Sequence, residues 1–254
     1  MRHALGIVLC AGCAFAQSGI EVPAIGTIVD SSGSLRSVQG VAGSFWLGPT
    51  LEPAGLSRVL AAACSERLCL VKTNSKILSP TGETDAPPGP AIFGVTADDA
   101  IVFFPQAHTF ARWHDDALDP LDWAVDGEVL SVLRRDGEIE IAVRQDGRVW
   151  IIHPDGSAVD SVADATGPVT LLPDGVLFAT AGETVVRHPD GTQARFELAG
   201  AGSIDEMGPH YAAIHIGSAM DGIGRAMDGI GGAIYVLRTE IGRESLFLLP
   251  GTTP

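Results

Sequence analysis

The chain has 254 residues, of which 46% are apolar, and it contains 31 glycines and 16 prolines. It carries 31 Asp and Glu against 16 Lys and Arg, which gives a formal net charge of −15 at pH 7. Such a surface repels phosphate groups, so the composition disfavours nucleic-acid binding and adhesion to anionic membranes. The apolar residues occur in short runs separated by glycine and proline, as in one closed all-β domain.

The N-terminus predicts a secretory signal peptide over residues 1–16. A basic start precedes an apolar run too short to span a bilayer, so no transmembrane segment is expected. The segment ends in Ala14-Phe15-Ala16, a small-x-small cleavage pattern that would leave Gln17 first in a periplasmic or extracellular protein. A second interpretation is a lipid anchor at Cys13. Ala11-Gly12-Cys13 resembles the end of a bacterial lipobox, although Cys10 stands where that motif has leucine.

Two cysteines remain after removal of the signal. Cys64 and Cys69 flank a four-residue polar turn, so they can face each other across a β-hairpin. In an oxidising compartment this arrangement predicts a disulfide. A zinc site would need further ligands, and none lie near in the sequence.

The most polar and aromatic stretch runs from residue 112 to residue 126. Clustered carboxylates bind cations and tryptophan faces stack on sugars, so this stretch is a weak candidate for a ligand site. Its candidate residues are Trp113, His114, Asp115, Asp116 and Trp123. The spacing lacks the glycine and the terminal glutamate of an EF-hand, and the alternative is a solvated strand edge.

A four-residue phrase occurs twice in the middle of the chain. His153-Pro154-Asp155-Gly156 returns as His188-Pro189-Asp190-Gly191, 35 residues later, and each copy ends a short apolar run. Self-similarity at such a period indicates units that cannot bury their apolar faces alone and must stack on one another.

Short strands joined by Asp-Gly turns can be assigned around these phrases, four to a unit. The predicted strands are 59–63, 69–72, 76–78, 84–85, 91–95, 101–104, 109–113, 123–125, 128–133, 138–143, 148–152, 158–162, 168–172, 176–180, 184–188, 194–198, 211–216, 233–238 and 245–249. Four antiparallel strands with such turns form one propeller blade.

The repeat therefore predicts a single β-propeller over residues 17–254. A unit of about 37 residues gives about six blades, with five or seven as alternatives. Residues 27–38 parallel 150–162, so we assign them to the outer two strands of a blade and expect the N-terminal strands to close the ring. A β-sandwich or β-solenoid is the competing architecture, but a sandwich predicts no fixed long period.

On these Pro-Asp-Gly turns the chain resembles secreted bacterial β-propeller repeat proteins with NHL-like blades in the broad sense. The resemblance covers most of the mature chain and implies a ring of blades, without indicating a specific family. The Gly-His and Trp-Asp dipeptides of WD-repeat blades are absent from the sequence.

Residues 217–232 form a glycine-rich segment that contains two near-copies of seven residues, 219–225 and 226–232. We predict a mobile loop between two strands. Replication slippage explains its origin, and the alternative is a lid over a binding face.

No motif in the sequence identifies a reaction or a cofactor. There is no Gly-x-Ser-x-Gly, no phosphate-binding glycine loop and no string of metal ligands. We therefore predict an exported non-catalytic binding or scaffold propeller for a protein or carbohydrate ligand. The alternative is a secreted hydrolase or lyase that acts on a carbohydrate or small ester in the central funnel. A funnel with two buried carboxylates and an acid of raised pKa would favour the enzyme, and a funnel plugged by apolar side chains would leave only the faces for binding.

Overall fold

The computed structural model describes residues 23–30, 32–51, 58–217 and 232–252. These residues form an all-β structure of six antiparallel sheets, arranged as the six blades of a β-propeller. The predicted fold class is confirmed. The predicted signal peptide over 1–16, the site at Ala16 and Gln17, and Cys13 lie outside the described residues, as do residues 218–231 of the predicted loop.

The blades follow one another along the chain. Blades 1 to 3 contain β1 Ala24–Val29, β2 Leu35–Val41 and β3 Ser44–Thr50; β4 Ala61–Cys64, β5 Cys69–Lys72, β6 Lys76–Leu78 and β7 Glu83–Asp85; β8 Ile92–Val95, β9 Ala100–Phe104, β10 Thr109–His114 and β11 Ala117–Leu121. Blades 4 to 6 contain β12 Glu128–Arg135, β13 Glu138–Gln145, β14 Arg148–Ile152 and β15 Ala158–Val162; β16 Val169–Leu172, β17 Gly175–Ala179, β18 Thr184–Arg187 and β19 Gln193–Phe196; β20 Ala201–Gly208, β21 Tyr211–Ile216, β22 Ile234–Arg238 and β23 Ser245–Leu248.

Within every sheet, neighbouring strands are also neighbours in sequence, so each blade is a simple meander. Blades 2 to 6 have four described strands, and blade 1 has three. Asp-Gly turns set the hairpins of blade 4: both residues of Asp136-Gly137 and of Asp146-Gly147 have positive φ. Two such residues in succession give the turn whose twist matches that of the flanking strands.

The repeated His-Pro-Asp-Gly phrase is a turn between the third and fourth strands of a blade. The His153 N–H donates to Ser157 O at 2.9 Å, and the Gly156 N–H donates to His153 O at 2.9 Å. The Asp155 carboxylate accepts the backbone N–H and the hydroxyl of Ser157. The same pattern recurs at His188, so the repeat in the sequence is a repeat of hairpin geometry.

The seams between blades hold the apolar core. Six clusters of buried apolar residues occur in the described structure, one at each seam from blades 1 and 2 round to blades 6 and 1. At the last seam, Phe45 packs edge-on against Tyr211 and Phe247, with ring centroids 5.9 and 5.3 Å apart. The N-terminal strands therefore close the ring, as predicted.

The first strands of blades 4 to 6 run side by side in the same direction. The Leu171 N–H donates to Ser131 Oγ at 3.0 Å, and Thr170 Oγ1 donates to Ile204 O at 3.0 Å. These contacts join β12 to β16 and β16 to β20 at equivalent heights. The first strands thus form the inner wall of the ring.

In blade 1, β1 runs opposite to both of its neighbours on the inner wall. Thr27 Oγ1 lies 3.1 Å from Cys64 Sγ, whereas the Val59 N–H donates to Gly33 O at 3.1 Å, so β1 and β4 are antiparallel. The start of β1 packs on the end of β20. The strands β4 and β20, which both contact β1, also approach each other.

Two of the strand assignments are wrong. Residues 27–38 are not the outer strands of a blade, because they include part of β1, the first strand of blade 1. The prediction was wrong because the turn after Asp30 has the same backbone hydrogen bonds as the turn at His153. Such a hairpin can join any two strands. The outer strand of blade 3 is β11 and not 123–125, since Asp115 and Asp116, both with positive φ, turn the chain directly after β10.

The predicted disulfide is present. Cys64 and Cys69 are directly opposite in the register of β4 and β5, with Cα atoms 3.9 Å apart, and their sulfur atoms are bonded. The bond lies at the turn that ends the inner strand of blade 2.

An ionic cluster joins blades 3 and 4. The Asp99 carboxylate, only 10% exposed, lies 2.6 Å from Arg112 Nη2 and 3.1 Å from Arg134 Nη1. Burial acts to raise the pKa of Asp99. The hydrogen bonds from Thr96 and Arg112 and the nearby positive charges outweigh burial, so this pKa lies below its ordinary value.

Asp99→Asn is expected to lower the free energy of unfolding at pH 7 by about 1–3 kcal/mol, since charged hydrogen bonds are lost. A lowered pKa stabilises the fold above 3.8, and that contribution disappears as the pH falls through the folded-state pKa. The difference in Tm from the wild type should therefore close at acid pH. Asp98→Asn is the control, because Asp98 is 74% exposed and 3.8 Å from Arg67. An equal loss of stability in Asp99→Asn and Asp98→Asn would contradict the stabilising role of the Asp99 ionic cluster.

Candidate functional site

A central channel lies inside the ring of blades. Its volume is about 880 Å³, and residues of β1, β4, β8, β12, β16 and β20 all contribute to its wall. The middle of the wall is mainly apolar, with Ala61, Phe93, Leu130 and Ile204 among its residues. These side chains surround the cavity and do not plug it, so the channel is the candidate functional site.

The two ends of the channel carry different groups. One end is formed by the turns that follow the inner strands, including Glu66, Thr96 and Pro173, and by Glu206 of β20. We call this end the acidic mouth and include in it Asp174, whose charge acts on Glu206. The opposite end is lined by Arg58 and Gln106, among other residues. The second end also includes Asp30, whose carboxylate lies 3.8 Å from Arg36. A ligand in the channel would therefore meet carboxylates at one end and, at the other, the guanidinium group of Arg58 beside a carboxylate that already has a cationic neighbour.

Glu206 is the group with the most perturbed acidity in the acidic mouth. Burial raises its pKa from 4.5 to about 7, and the negative charge of Asp174 acts in the same direction. Water in the channel reaches the side chain, which is exposed, while the surrounding wall replaces much of the bulk solvent. Such a carboxyl group can exist in both protonation states near neutral pH.

Asp174 is held in the turn after β16. Its backbone oxygen accepts a hydrogen bond from His188 Nδ1 at 3.2 Å, and His188 Nε2 lies 2.7 Å from Glu244 Oε1. One carboxylate oxygen of Asp174, Oδ1, is buried without a hydrogen-bond partner among the described residues. The repeated histidine thus fixes the position of a carboxyl group beside the channel.

A second set of polar side chains lies in the channel wall on β20 and the neighbouring strand β21. His215 Nε2 is 2.9 Å from Asp205 Oδ2, and the imidazole is largely buried. The geometry is that of an ion pair when the ring is protonated, not of a well-aligned hydrogen bond. Ser203 Oγ, on the same strand as Asp205, is buried without a hydrogen-bond partner among the described residues.

The structure separates the candidate residues of the stretch 112–126. Trp113 is buried in the seam between blades 2 and 3. Trp123 packs on Phe110 at 5.5 Å between the ring centroids, in the seam between blades 3 and 4. The two indoles therefore cover opposite faces of blade 3 and cannot stack on one ligand.

The polar residues of that stretch form the turn after β10. His114 Nε2 lies 3.1 Å from Asp115 Oδ2 on the surface. The Asp116 carboxylate accepts a hydrogen bond from Ser79, and its backbone oxygen accepts one from Thr84 Oγ1 at 2.5 Å. A ligand site at His114, Asp115 and Asp116 stays a prediction.

Sequence reasoning missed the pair formed by Asp174 and Glu206. Asp174 belongs to a Pro-Asp-Gly turn of the repeat, and this turn was the one signal in the sequence that could have drawn attention to its carboxyl group. Glu206 lies in β20, a strand that the sequence did not predict, and spacing alone could not place its carboxyl group beside another blade.

The described residues contain no group of three or more His, Cys, Asp or Glu side chains arranged to hold a metal ion. They also contain no helix that is long and apolar enough to cross a membrane.

The fold is similar to that of solved propeller proteins at low sequence identity. PorZ, a surface component of the type-IX secretion system of Porphyromonas gingivalis, aligns with a TM-score of 0.50 at 12% identity, over 89% of this chain and 31% of PorZ. Hsv2 of Kluyveromyces lactis gives 0.48 at 11%, over 75% and 63%. A catalytically inactive virginiamycin B lyase of Staphylococcus aureus gives 0.47 at 13%, over 92% and 86%.

The six blades and the likeness to PorZ confirm the resemblance to propeller proteins, and all three likenesses concern the fold alone. The chain spans about a third of the length of PorZ. No protein-family model matches the chain, and no curated protein matches it.

Replacing Glu206 by Gln is expected to change how stability depends on pH. A raised pKa in the folded state means that ionising Glu206 costs free energy, so stability falls as the pH rises from 4.5 through about 7. The Tm of Glu206→Gln should equal that of the wild type at pH 5 and exceed it at pH 8.

Glu197→Gln, at an exposed position after β19, provides the control for Glu206→Gln. It should leave the difference between Tm at pH 5 and at pH 8 as in the wild type. If Glu206→Gln behaves like this control, Glu206 is not the enclosed carboxyl group described above.

Proposed function

We propose that the chain is an exported, non-catalytic binding or scaffold propeller whose ligand occupies the central channel. The open channel of about 880 Å³ is the observation that carries the proposal. Its size is that of pockets which enclose small molecules or short segments of a larger partner. A protein or a carbohydrate could supply such a ligand.

The construction of the wall supports binding. Every blade contributes residues, and each blade is fixed by packed seams on both faces, so the wall is formed before the ligand arrives. Preformed sites lose little conformational entropy on binding. The apolar middle offers contact area, while the exposed side chains of Glu66 and Glu206 in the acidic mouth offer polar groups.

Export is the second part of the proposal. The disulfide between Cys64 and Cys69 is typical of proteins that fold in an oxidising compartment. The predicted signal peptide supports the same location. Mass spectrometry of the exported protein would show a free Gln17 after ordinary cleavage and a lipid on Cys13 after lipoprotein processing.

Channel binding can be tested with a single thiol introduced by Ala97→Cys, at an exposed position in the channel wall, and labelled with bimane under non-reducing conditions, which leave the disulfide closed. Chitotetraose, cellotetraose and short acetylated peptides serve as probes. At least one should change the bimane emission, and the same label at Gln193→Cys on the exposed strand β19 should not respond. A label at position 97 that no probe affects would contradict channel binding.

The acidic mouth favours a second candidate, a secreted hydrolase or lyase. Glu206, with its pKa raised to about 7, could donate a proton to a leaving group, and Asp174 is the nearby second carboxyl group. The substrate would be a carbohydrate or a small ester that enters the channel.

The enzyme candidate predicts release of methanol from methyl glycosides or of ethanol from ethyl acetate, whose basic leaving groups must take up a proton. The rate should fall as the pH rises above about 7, because the proton on Glu206 is lost. Glu206→Gln should lower the rate at least a hundredfold, the usual contribution of a general acid, on the order of 10² to 10⁴. Glu197→Gln should retain it. Equal rates in the two variants would exclude Glu206 as the acid.

A further inference from the structure

The carboxyl groups of the acidic mouth are poorly matched by basic side chains among the described residues. Glu66 and Glu206 line the channel with exposed side chains, and neither forms an ion pair with a described residue. Within the described chain, Asp174 is paired with His210 alone, whose Nδ1 lies 3.9 Å from Asp174 Oδ2, beyond hydrogen-bonding distance. A ligand with a positive charge would therefore meet carboxylate oxygens that are free to accept hydrogen bonds.

A buried acceptor at the acidic mouth points to the same kind of ligand. Asp174 Oδ1 is buried and has no hydrogen-bond donor among the described residues, an arrangement that costs free energy. Enclosure and the charge of Asp174 together raise the pKa of Glu206, and a cation beside the two carboxyl groups would relieve their repulsion. An ammonium group offers three N–H donors, so it can serve several carboxylate oxygens at once.

The channel wall next to the acidic mouth is apolar and open to a ligand. Phe93, Val95 and Leu130 line the channel and are only half-buried, so part of each side chain is in contact with the channel space. An apolar body that covered these side chains would remove apolar surface from water, which favours binding. The wall therefore suits the uncharged part of a ligand whose charged group lies in the mouth.

Charge determines the orientation of such a ligand. The opposite end of the channel is lined by Arg58 and Asp30, and Asp30 already lies 3.8 Å from Arg36. A positive group at that end would be repelled by two guanidinium groups, so the acidic mouth is the favourable end for a cation.

We propose that the channel binds a protonated primary amine on an apolar stem, with the ammonium group in the acidic mouth and the stem against the apolar wall. The ammonium group donates to the ionised carboxylate of Glu206. A free alkylamine has this chemistry, and so does the lysine side chain of a partner protein. The inference rests on the proposed function, since it names the ligand class of the same channel.

The probes are 4-phenylbutylamine and its neutral counterpart 4-phenylbutan-1-ol, titrated calorimetrically into the exported protein at pH 8. The amine should bind at least about tenfold more tightly than the alcohol, as expected for one charge-assisted hydrogen bond. Butylamine lacks the phenyl group and should bind at least about tenfold more weakly than 4-phenylbutylamine, because it buries less apolar surface.

Glu206→Gln tests the residue that receives the ammonium group. This variant should lower the affinity for 4-phenylbutylamine about tenfold and leave the affinity for the alcohol unchanged, because only the charge-assisted hydrogen bond is lost. Glu197→Gln, on the exposed surface, should bind both probes as the wild type does.

The pH dependence of amine binding is tested with the protein unchanged. Glu206 has a pKa of about 7, and the amine prefers its ionised form, so the affinity should fall about fivefold between pH 8 and pH 6. Near pH 6.5, about half a proton should be released for each amine bound, measured by calorimetry in buffers of different ionisation enthalpy.

Other titratable groups lie around Glu206, and their contribution can be separated. They are Asp174, Glu66, His210 and, on β20 and β21, the pair Asp205 and His215. Any pH dependence that they cause would persist in Glu206→Gln, whereas the part assigned to Glu206 should disappear there. The alcohol, which carries no charge, should bind equally at pH 6 and pH 8.

The two sources of the amine are distinguished with the peptides acetyl-Leu-Lys-Leu-amide and acetyl-Leu-norleucine-Leu-amide. A tenfold preference for the lysine peptide that Glu206→Gln abolishes would support the proposal and assign the amine to a lysine of a partner protein. The same preference shown by 4-phenylbutylamine alone would support it and assign a small free amine.

Three results would overturn the inference. The first is equal affinity for the amine and the alcohol at pH 8, and the second is an unchanged affinity for the amine in Glu206→Gln. The third is a bimane label at position 97 that responds to a tetrasaccharide and not to 4-phenylbutylamine. In that third case channel binding stands and the amine assignment fails, whereas a label that no probe affects contradicts the proposed function itself.

Discussion

Burial of both faces of each blade is the constraint on which the rest of the structure depends. In β17 all five residues are buried, so a neighbour must cover this sheet on each side. The six apolar clusters meet this requirement seam by seam. Only a closed ring also covers the first and the last blade, and for that reason the packing of Phe45 against Tyr211 and Phe247 belongs to the core.

The same constraint creates the channel and its chemistry. Blades pack through their faces, so the inner edges of the first strands are left around a shared space. The ends of these strands and the turns that follow them then bring side chains from different blades to one end of the channel. Asp174 of blade 5 and Glu206 of blade 6 meet in this way, and their mutual repulsion adds to the effect of enclosure on Glu206. The reversed direction of β1 presents a different strand edge to the channel.

Much of the fold could be predicted because hairpins are local. Asp-Gly pairs with positive φ determine where strands turn, and the two His-Pro-Asp-Gly phrases made the period visible. Prediction failed where the local signal was weak or ambiguous. The turn at Asp30 resembles the one at His153 but joins different strands, and β20 has a sequence in which polar and apolar residues do not alternate cleanly.

The sequence by itself determined most of the hairpins, the blade period, the cysteine pair and the net negative charge, since each depends on residue type or on neighbours within a hairpin. Tertiary structure alone decided the direction of β1 and the separation of Trp113 from Trp123 on opposite faces of blade 3. It also decided the meeting of Glu206 with Asp174. These features depend on how distant blades pack against one another, and no spacing within a single hairpin encodes that packing.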